Sequence, residues 1–188
     1  AVFEVFWKNL LVDTFNDDLP EDYWPEGGSR WVEVMRNLVT QPDNSFWDDQ
    51  TTTDKVETRD AIFTRAFTEA VAECGKLQGK DPAKWNWGGL HTATFRNQTL
   101  GESGIAPIEA LFNRGAFPTN GGDAIVNATG WNVTLGYTVD WLPSMRMIVD
   151  LGNLGNSLTV HTTGESGHAY HPHYIDMADL WRNVQYYP

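Results

Sequence analysis

Apolar side chains recur every three or four residues through the first 80 positions, which is the spacing of one face of a helix. Three helices are predicted there. The first covers residues 1–15 and places its apolar side chains at Phe3, Phe6, Leu10 and Leu11. The second covers residues 28–39, with Ser29 as its predicted N-cap. Its apolar face is formed by Trp31, Met35 and Leu38.

The third predicted helix is the longest and covers residues 54–79. Asp54 and Glu57 have the spacing of a capping box, and Gly79 followed by Pro82 predicts where the helix ends. One face carries a continuous apolar stripe, formed by Ile62, Phe63, Ala66, Phe67, Ala70, Val71, Cys74 and Leu77.

From Trp85 onward the pattern changes to that of strands. Residues 85–95 are aromatic and rich in threonine, and the turn Asn120-Gly121-Gly122 precedes a predicted strand over residues 121–129. Alternation in residues 144–151 predicts another strand, and residues 156–163 are predicted as a further short strand. Residues 173–183 predict a closing helix carrying Ile175, Ala178 and Trp181. The order predicts an α+β fold, with a helical segment over residues 1–80 and antiparallel strands and the closing helix in residues 81–188.

Composition narrows the classes of partner. The 188 residues are 41% hydrophobic and include nine tryptophans, enough for a packed core. A formal net charge of −12 argues against binding to nucleic acid or to an anionic membrane surface. No apolar run approaches the roughly 20 residues that a membrane helix requires.

The chain has a single cysteine, Cys74, so no internal disulfide can form. It opens on an apolar helical pattern without the methionine and basic region of a secretory signal. We therefore expect it to be cut from a longer protein or to begin at a processed end.

Residues 161–181 hold four of the five histidines and a serine between glycines. The run Gly164-Glu165-Ser166-Gly167 resembles a nucleophile elbow, but the fifth position of that motif is His168 and not glycine. The favoured interpretation is a turn in which glycines adopt positive φ and Ser166 bonds to the backbone.

The same loop raises the question of a metal site. His168, His171 and His173 offer three ring nitrogens, and Asp176 offers a fourth ligand. Pro172 separates two of these histidines, so they lie in a loop and need not point to one ion. The favoured interpretation is a loop whose imidazoles bond to the backbone, so neither a metal nor another cofactor is predicted.

Three further residues are candidates for chemistry. His91 could act as a base, but a hydrogen-bonded core histidine is the favoured interpretation, since no serine or cysteine lies near it in sequence. Cys74 lies on an apolar stripe, which predicts a buried and unreactive thiol. Asp123 follows two glycines and could orient a group at the edge of a site, although a turn aspartate more often caps its own backbone.

Read together, the elements of the second half follow a known order. These elements are WNWGGLHTATF, NGGDAIVNA, PSMRMIVDL, GESGHAYHPHYIDMADLW and a terminal YYP. The series closely resembles the C-terminal part of the large subunit in the penicillin acylase family. The resemblance is tight over residues 85–188 and looser over the helical first 80 residues.

The resemblance implies an N-terminal nucleophile hydrolase with a four-layer αββα core. Such an enzyme is made as a precursor that cuts itself and exposes a serine, whose own α-amine acts as the base. The implied substrates are amides such as penicillins, cephalosporin side chains and acyl-homoserine lactones. The implied partner is the upstream part of the same precursor, and the implied location is periplasmic or secreted.

One departure from the family matters for chemistry. The chain begins at Ala1, and no Ser-Asn start of a large subunit occurs in it. We therefore predict that no catalytic, cofactor-binding or metal-binding residue of the family lies in this chain. The leading hypothesis is a structural segment of an amidohydrolase that is inactive alone. The alternatives are an acidic stand-alone binding module and a histidine-loop metalloprotein.

Overall fold

The computed structural model describes residues 1–188 and divides into two compact units. One unit comprises residues 1–90 with 131–138, and the other comprises residues 91–130 with 139–188. The helices are α1 (Val2–Phe15), α2 (Ser29–Leu38), α3 (Arg59–Gln78), α4 (Ala106–Phe112) and α5 (Ala178–Arg182). The strands are β1 (Thr92–Phe95), β2 (Arg114–Pro118), β3 (Met145–Ile148) and β4 (Leu158–His161). The predicted α+β class is confirmed.

In the first unit, α1 packs along α3 around an apolar core. The predicted face of α1 was partly wrong, because Val5 and Phe15 are buried while Phe3 is 68% exposed. The buried positions of α3 follow a narrower stripe than predicted, and Phe67, Val71 and Leu77 lie outside it. The core is formed by Leu10, Leu11, Phe15, Met35, Leu38, Trp47, Ile62, Ala66, Trp131 and Val133.

Two predicted helix starts were also wrong. Ser29 is already the first residue of α2, and Gly28 precedes it without a side-chain cap. Helix α3 begins at Arg59, after Thr58, whose hydroxyl accepts the N–H of Ala61. Glu57 is not in a capping box, because its carboxylate accepts bonds from Asp49 N and Thr52 Oγ1 in the preceding loop. The predicted end at Gly79 is confirmed, with a φ of 88°.

Arg65 of α3 ties that loop to α1. Its Nη1 lies 2.6 Å from Asp49 Oδ2, and its Nε lies 3.4 Å from Asp13 Oδ2. Burial raises the pKa of Asp13 to about 6, although the guanidinium opposes the shift. The folded protein therefore holds a proton on Asp13 more tightly than the unfolded chain does.

This shift predicts a pH dependence of stability. Stability from protonated Asp13 is fully present below its ordinary pKa of 3.8 and is lost as the pH rises through about 6. An Asp13→Asn chain should match the parent at pH 4 and exceed it at pH 7 by about 1–2 kcal/mol, allowing for solvent screening. Urea unfolding followed by the helical circular dichroism signal measures this difference. Asp43→Asn, at an exposed turn, is the control and should track the parent at both pH values.

A second polar cluster joins α1, α3 and the 131–138 segment of the same unit. Lys8 Nζ lies 2.9 Å from Glu73 Oε1 and 3.0 Å from the Tyr137 hydroxyl. Tyr137 donates to Glu73 at 2.6 Å. Burial opposes ionisation of Glu73, but the bonds from Tyr137 and Lys8 outweigh it and lower its pKa. The pKa of Tyr137 is raised by burial and by the Glu73 carboxylate, so the tyrosine is a neutral donor.

The second unit contains two antiparallel strand pairs, β1 with β2 and β3 with β4. Strand β3 pairs in register, with Arg146 opposite Val160 and Met147 opposite Thr159. The core is small and comprises Ala93, Val160, Met177 and Trp181. No helix in the chain has the length and apolar composition needed to cross a membrane.

Three predictions for this half were wrong or incomplete. Residues 121–129 form no strand and make only an isolated bridge between Gly122 and Ala128. The closing helix is limited to Ala178–Arg182, because a short 3-10 turn at Pro172–Tyr174 interrupts the predicted segment. Helix α4 and strand β2 were not predicted.

Strand β3 and the turn that follows expose much apolar surface. Met145 and Met147 alternate with Arg146, so they share the face of the strand that points away from the Val160 side. Met147 is 60% exposed and Leu151 is 88% exposed. Strand β3 has a partner on one edge only.

Candidate functional site

The histidine loop, residues 161–177, folds back on itself. Met177 N donates to Thr163 O at 2.8 Å, and Ser166 N donates to His173 O at 3.0 Å. A side chain at Gly164 would overlap the carbonyl of His173. Gly164 is therefore needed for close approach, and the predicted positive φ at this glycine was wrong.

Ser166 does not form a catalytic pair in this loop. Its Oγ accepts the backbone N–H of His168 at 3.2 Å and is bonded to no histidine ring. The serine follows β4 by five residues and does not open a helix, so the geometry of an elbow is absent. The interpretation as a backbone-bonding turn serine is confirmed. The serine lies at the edge of an open cleft of about 360 Å³ that Arg114 and Tyr174 also line.

The histidines of the loop are occupied locally. His168 Nδ1 accepts the N–H of Tyr170, and His171 Nδ1 accepts the N–H of His173. His173 Nδ1 lies 2.7 Å from Asp176 Oδ2. No group of three or more His, Cys, Asp or Glu side chains is arranged to hold a metal ion. Among the four candidate ligands, the only bonded pair of side chains is His173 with Asp176, and the ring centroids of His171 and His173 lie 5.3 Å apart.

We expect protein purified without a histidine tag to carry far less than one zinc ion per chain. The physical reason is that the Nδ1 atoms of His168, His171 and His173 are already engaged, and no thiolate lies nearby. Elemental analysis after dialysis without chelator measures the metal content. Stoichiometric zinc that disappears in the His171→Ala, His173→Ala double variant would contradict this expectation.

His91 lies in a different network, at the base of the loop formed by residues 119–130, which we call the glycine loop. Its side chain is fully buried, and Nε2 lies 3.2 Å from Thr129 O and 3.1 Å from Thr129 Oγ1. Because a carbonyl oxygen can only accept, Nε2 carries the proton in this arrangement. The His91 carbonyl accepts both the N–H and the hydroxyl of Thr119. This agrees with the interpretation of His91 as a hydrogen-bonded core residue.

The neck of the glycine loop is closed by several short bonds. Asn127 Nδ2 donates to Asn120 O at 2.5 Å, and Thr129 Oγ1 donates to the same carbonyl at 3.1 Å. Thr129 N also donates to Gly122 O at 3.2 Å. Gly121 has a φ of 123° and approaches so closely that a side chain there would overlap the carbonyl of Asn127. Gly121 thus has the positive φ that a glycine turn predicts, but the turn itself lies at residues 123–124 and no strand follows it.

Arg146 of β3 reaches the glycine loop from the other side. Its Nη2 donates to Asn127 Oδ1, and its Nη1 donates to Trp181 O at 2.6 Å. The guanidinium also lies over the Trp181 ring, 4.9 Å from the centroid. No role was predicted for Arg146 from the sequence. The sequence carries a signal for such a role, because an arginine in the middle of an alternating apolar strand needs hydrogen-bond partners where it is buried.

The remaining two candidates are Cys74 and Asp123. Cys74 is fully buried on α3, and burial raises the pKa of its thiol, which agrees with an unreactive cysteine. Asp123 lies half-buried in the turn of the glycine loop.

Comparison with known proteins decides the relationship. The model of the penicillin amidase family matches residues 1–188, that is, the whole chain. The chain belongs to the penicillin amidase family. The match includes the helical first 80 residues, where the motif resemblance was loose.

The curated relatives share one name. An acyl-homoserine lactone acylase QuiP from Pseudomonas aeruginosa is 33% identical and aligns with 99% of this chain but with 24% of its own length. The QuiP acylase from Pseudomonas syringae pv. syringae is 29% identical, with 99% and 23% covered. The chain therefore spans about a quarter of the length of the penicillin-amidase relatives it matches.

Proposed function

We propose that this chain is the C-terminal structural segment of a longer amidohydrolase, which hydrolyses the amide bond of an acyl-homoserine lactone, a penicillin or a cephalosporin side chain. The observation that carries the proposal is the family match over all 188 residues, together with relatives named as acyl-homoserine lactone acylases. In this proposal the enzyme is made as a precursor that cuts itself, and it acts in the periplasm or outside the cell.

The proposed reaction uses groups outside these 188 residues. A serine at the start of the large subunit attacks the amide carbonyl, and its own α-amine takes the proton. The geometry of this chain supports the placement of the reacting groups elsewhere, because Ser166, His91 and the histidine loop are all engaged in local hydrogen bonds. None of them forms the nucleophile-and-base pair that amide hydrolysis requires.

The exposed apolar strand supports the proposed partner, the upstream part of the same precursor. Met145 and Met147 are each more than 40% exposed on one face of a strand with one unpaired edge, and Ile148 is 51% exposed on the other face. Such apolar surface is normally covered in a finished protein. We propose that strands of the upstream segment cover it and complete the four-layer αββα core.

The proposal is tested by expressing the longer polypeptide and measuring release of homoserine lactone or of the penicillin nucleus from the corresponding amides. Turnover by the longer polypeptide is the expected result. A Ser166→Ala variant of it should retain full activity, and it serves as the control for a role of the histidine loop. Loss of turnover in that variant would contradict the assignment, and so would a longer polypeptide that cleaves none of these amides.

A further inference from the structure

Arg146 is a partly buried cation without a carboxylate partner. It takes part in none of the ion pairs of the chain. Its Nε is buried without a hydrogen-bond partner, and burial lowers the pKa of its guanidinium. The charge is held by two neutral acceptors and an aromatic face.

Burying this guanidinium has an energetic cost. A cation removed from water loses hydration that neutral acceptors only partly replace, and an apolar side chain of similar volume is often equally or more stabilising. What an apolar side chain cannot do is hold two acceptors in fixed directions. The planar guanidinium does so, because its nitrogens diverge in a rigid fork.

The two acceptors belong to different parts of the unit. Trp181 O lies in α5, and Asn127 Oδ1 lies in the glycine loop. Asn127 also bonds to the neck of the glycine loop. Its Nδ2 donates to Asn120 O, and its carbonyl accepts from Gly122 N. Arg146 thus connects the neck of the glycine loop to the closing helix.

Beyond the neck, the glycine loop exposes an apolar tip. Val126 is 92% exposed and Ile125 is 57% exposed, although the base of the loop is bonded from both sides. A fixed neck with an exposed apolar tip is suited to insertion into a surface of matching shape. About three quarters of the length of the relatives lies outside this chain, and in the proposed function that surface belongs to the upstream part of the same polypeptide.

We infer that Arg146 is a positioning residue for amide hydrolysis by the longer polypeptide, because it fixes the glycine loop in the geometry that meets the upstream part. The inference rests on the proposed function and names a contact through which this segment serves it. Arg146 acts through Asn127 and touches no reacting atom.

The test uses the longer polypeptide, with hydrogen exchange and steady-state kinetics measured on the same samples. Arg146→Met should raise the exchange of residues 119–130 about tenfold while β4 stays protected, since the loop loses one charge-assisted bond. We expect kcat to fall about tenfold and KM to change by less than about twofold. Arg146→Lys retains one donor and should recover part of kcat. The matched control is Arg182→Met. It removes an arginine that pairs with Asp179 within α5, and it should leave kcat and the exchange of the glycine loop unchanged.

A double-mutant cycle separates positioning from general loss of stability. Asn127→Ala removes the same bond from the other end, together with the Nδ2 bond to Asn120 O, so its effect on kcat should be clearly less than additive with that of Arg146→Met. Additive effects, or exchange that rises equally in β4 and the loop, would overturn the inference. Unchanged loop exchange in Arg146→Met would overturn it as well. Failure of the proposed function looks different, because the unsubstituted polypeptide would then hydrolyse no amide.

Discussion

The 188-residue chain on its own is expected to hydrolyse no amide above the buffer background. Nucleophile, base and oxyanion donors act as a unit, and losing the nucleophile typically costs about a millionfold in kcat. The chain offers no replacement, because Ser166 Oγ accepts a backbone N–H and His91 is fully buried. Incubation with phenylacetyl amides and acyl-homoserine lactones, followed by chromatography of the products, measures this directly.

The control for that experiment is the Ser166→Ala variant of the same chain. Any trace of turnover should be identical in the chain and in its Ser166→Ala variant, since it would come from a contaminant. Turnover that is stoichiometric with the chain and disappears with Ser166 would show that the histidine loop is a hydrolytic site after all.

The chain in isolation is also expected to self-associate. Its exposed apolar side chains on and near β3 comprise Met145, Met147, Ile148, Val149, Leu151 and Leu154. Covering a few hundred Å² of such surface is worth several kcal/mol at about 25 cal/mol per Å², which is comparable with the whole net stability of a domain. The unpaired edge of β3 gives a second copy a strand to pair with. The alternative outcome with the same cause is that the strands of residues 81–188 are poorly ordered while the helices of residues 1–80 remain ordered.

Size-exclusion chromatography with light scattering, combined with hydrogen exchange over residues 123–162, measures both outcomes. Met147→Lys places a charge on the exposed face of β3 and should reduce association. Phe3→Lys changes a side chain of similar exposure on α1 and should leave association unchanged. A compact monomer with strongly protected strands would instead describe an autonomous domain, and the stand-alone binding module would become the better hypothesis.

Periodicity predicted the first three helices well because their stability comes from one buried face. It located α1, α2 and α3, and it identified Ala66, Ala70 and Cys74 as buried. It misplaced the start of α3 because Glu57 bonds to a loop that lies before it in sequence. A capping box and a loop-bonded carboxylate have the same local pattern, and only the tertiary structure distinguishes them.

The second half was harder to predict because its elements are short and its polar groups bond over long distances. Residues 121–129 have the composition of a strand, yet they form a loop whose backbone is bonded by Asn127, Thr129 and His91. The bond between Arg146 and Asn127 joins residues 19 positions apart, and no local pattern records it. The ordered series of motifs nevertheless identified the penicillin amidase family correctly.

The central claim is that this segment completes the core of an amidohydrolase whose nucleophile lies upstream. Its most direct test is to express the upstream part and this chain as two polypeptides, separately and together, and to assay amide hydrolysis. The account predicts turnover when both are present and little or none from either alone. Full turnover by the upstream part without this chain would contradict it.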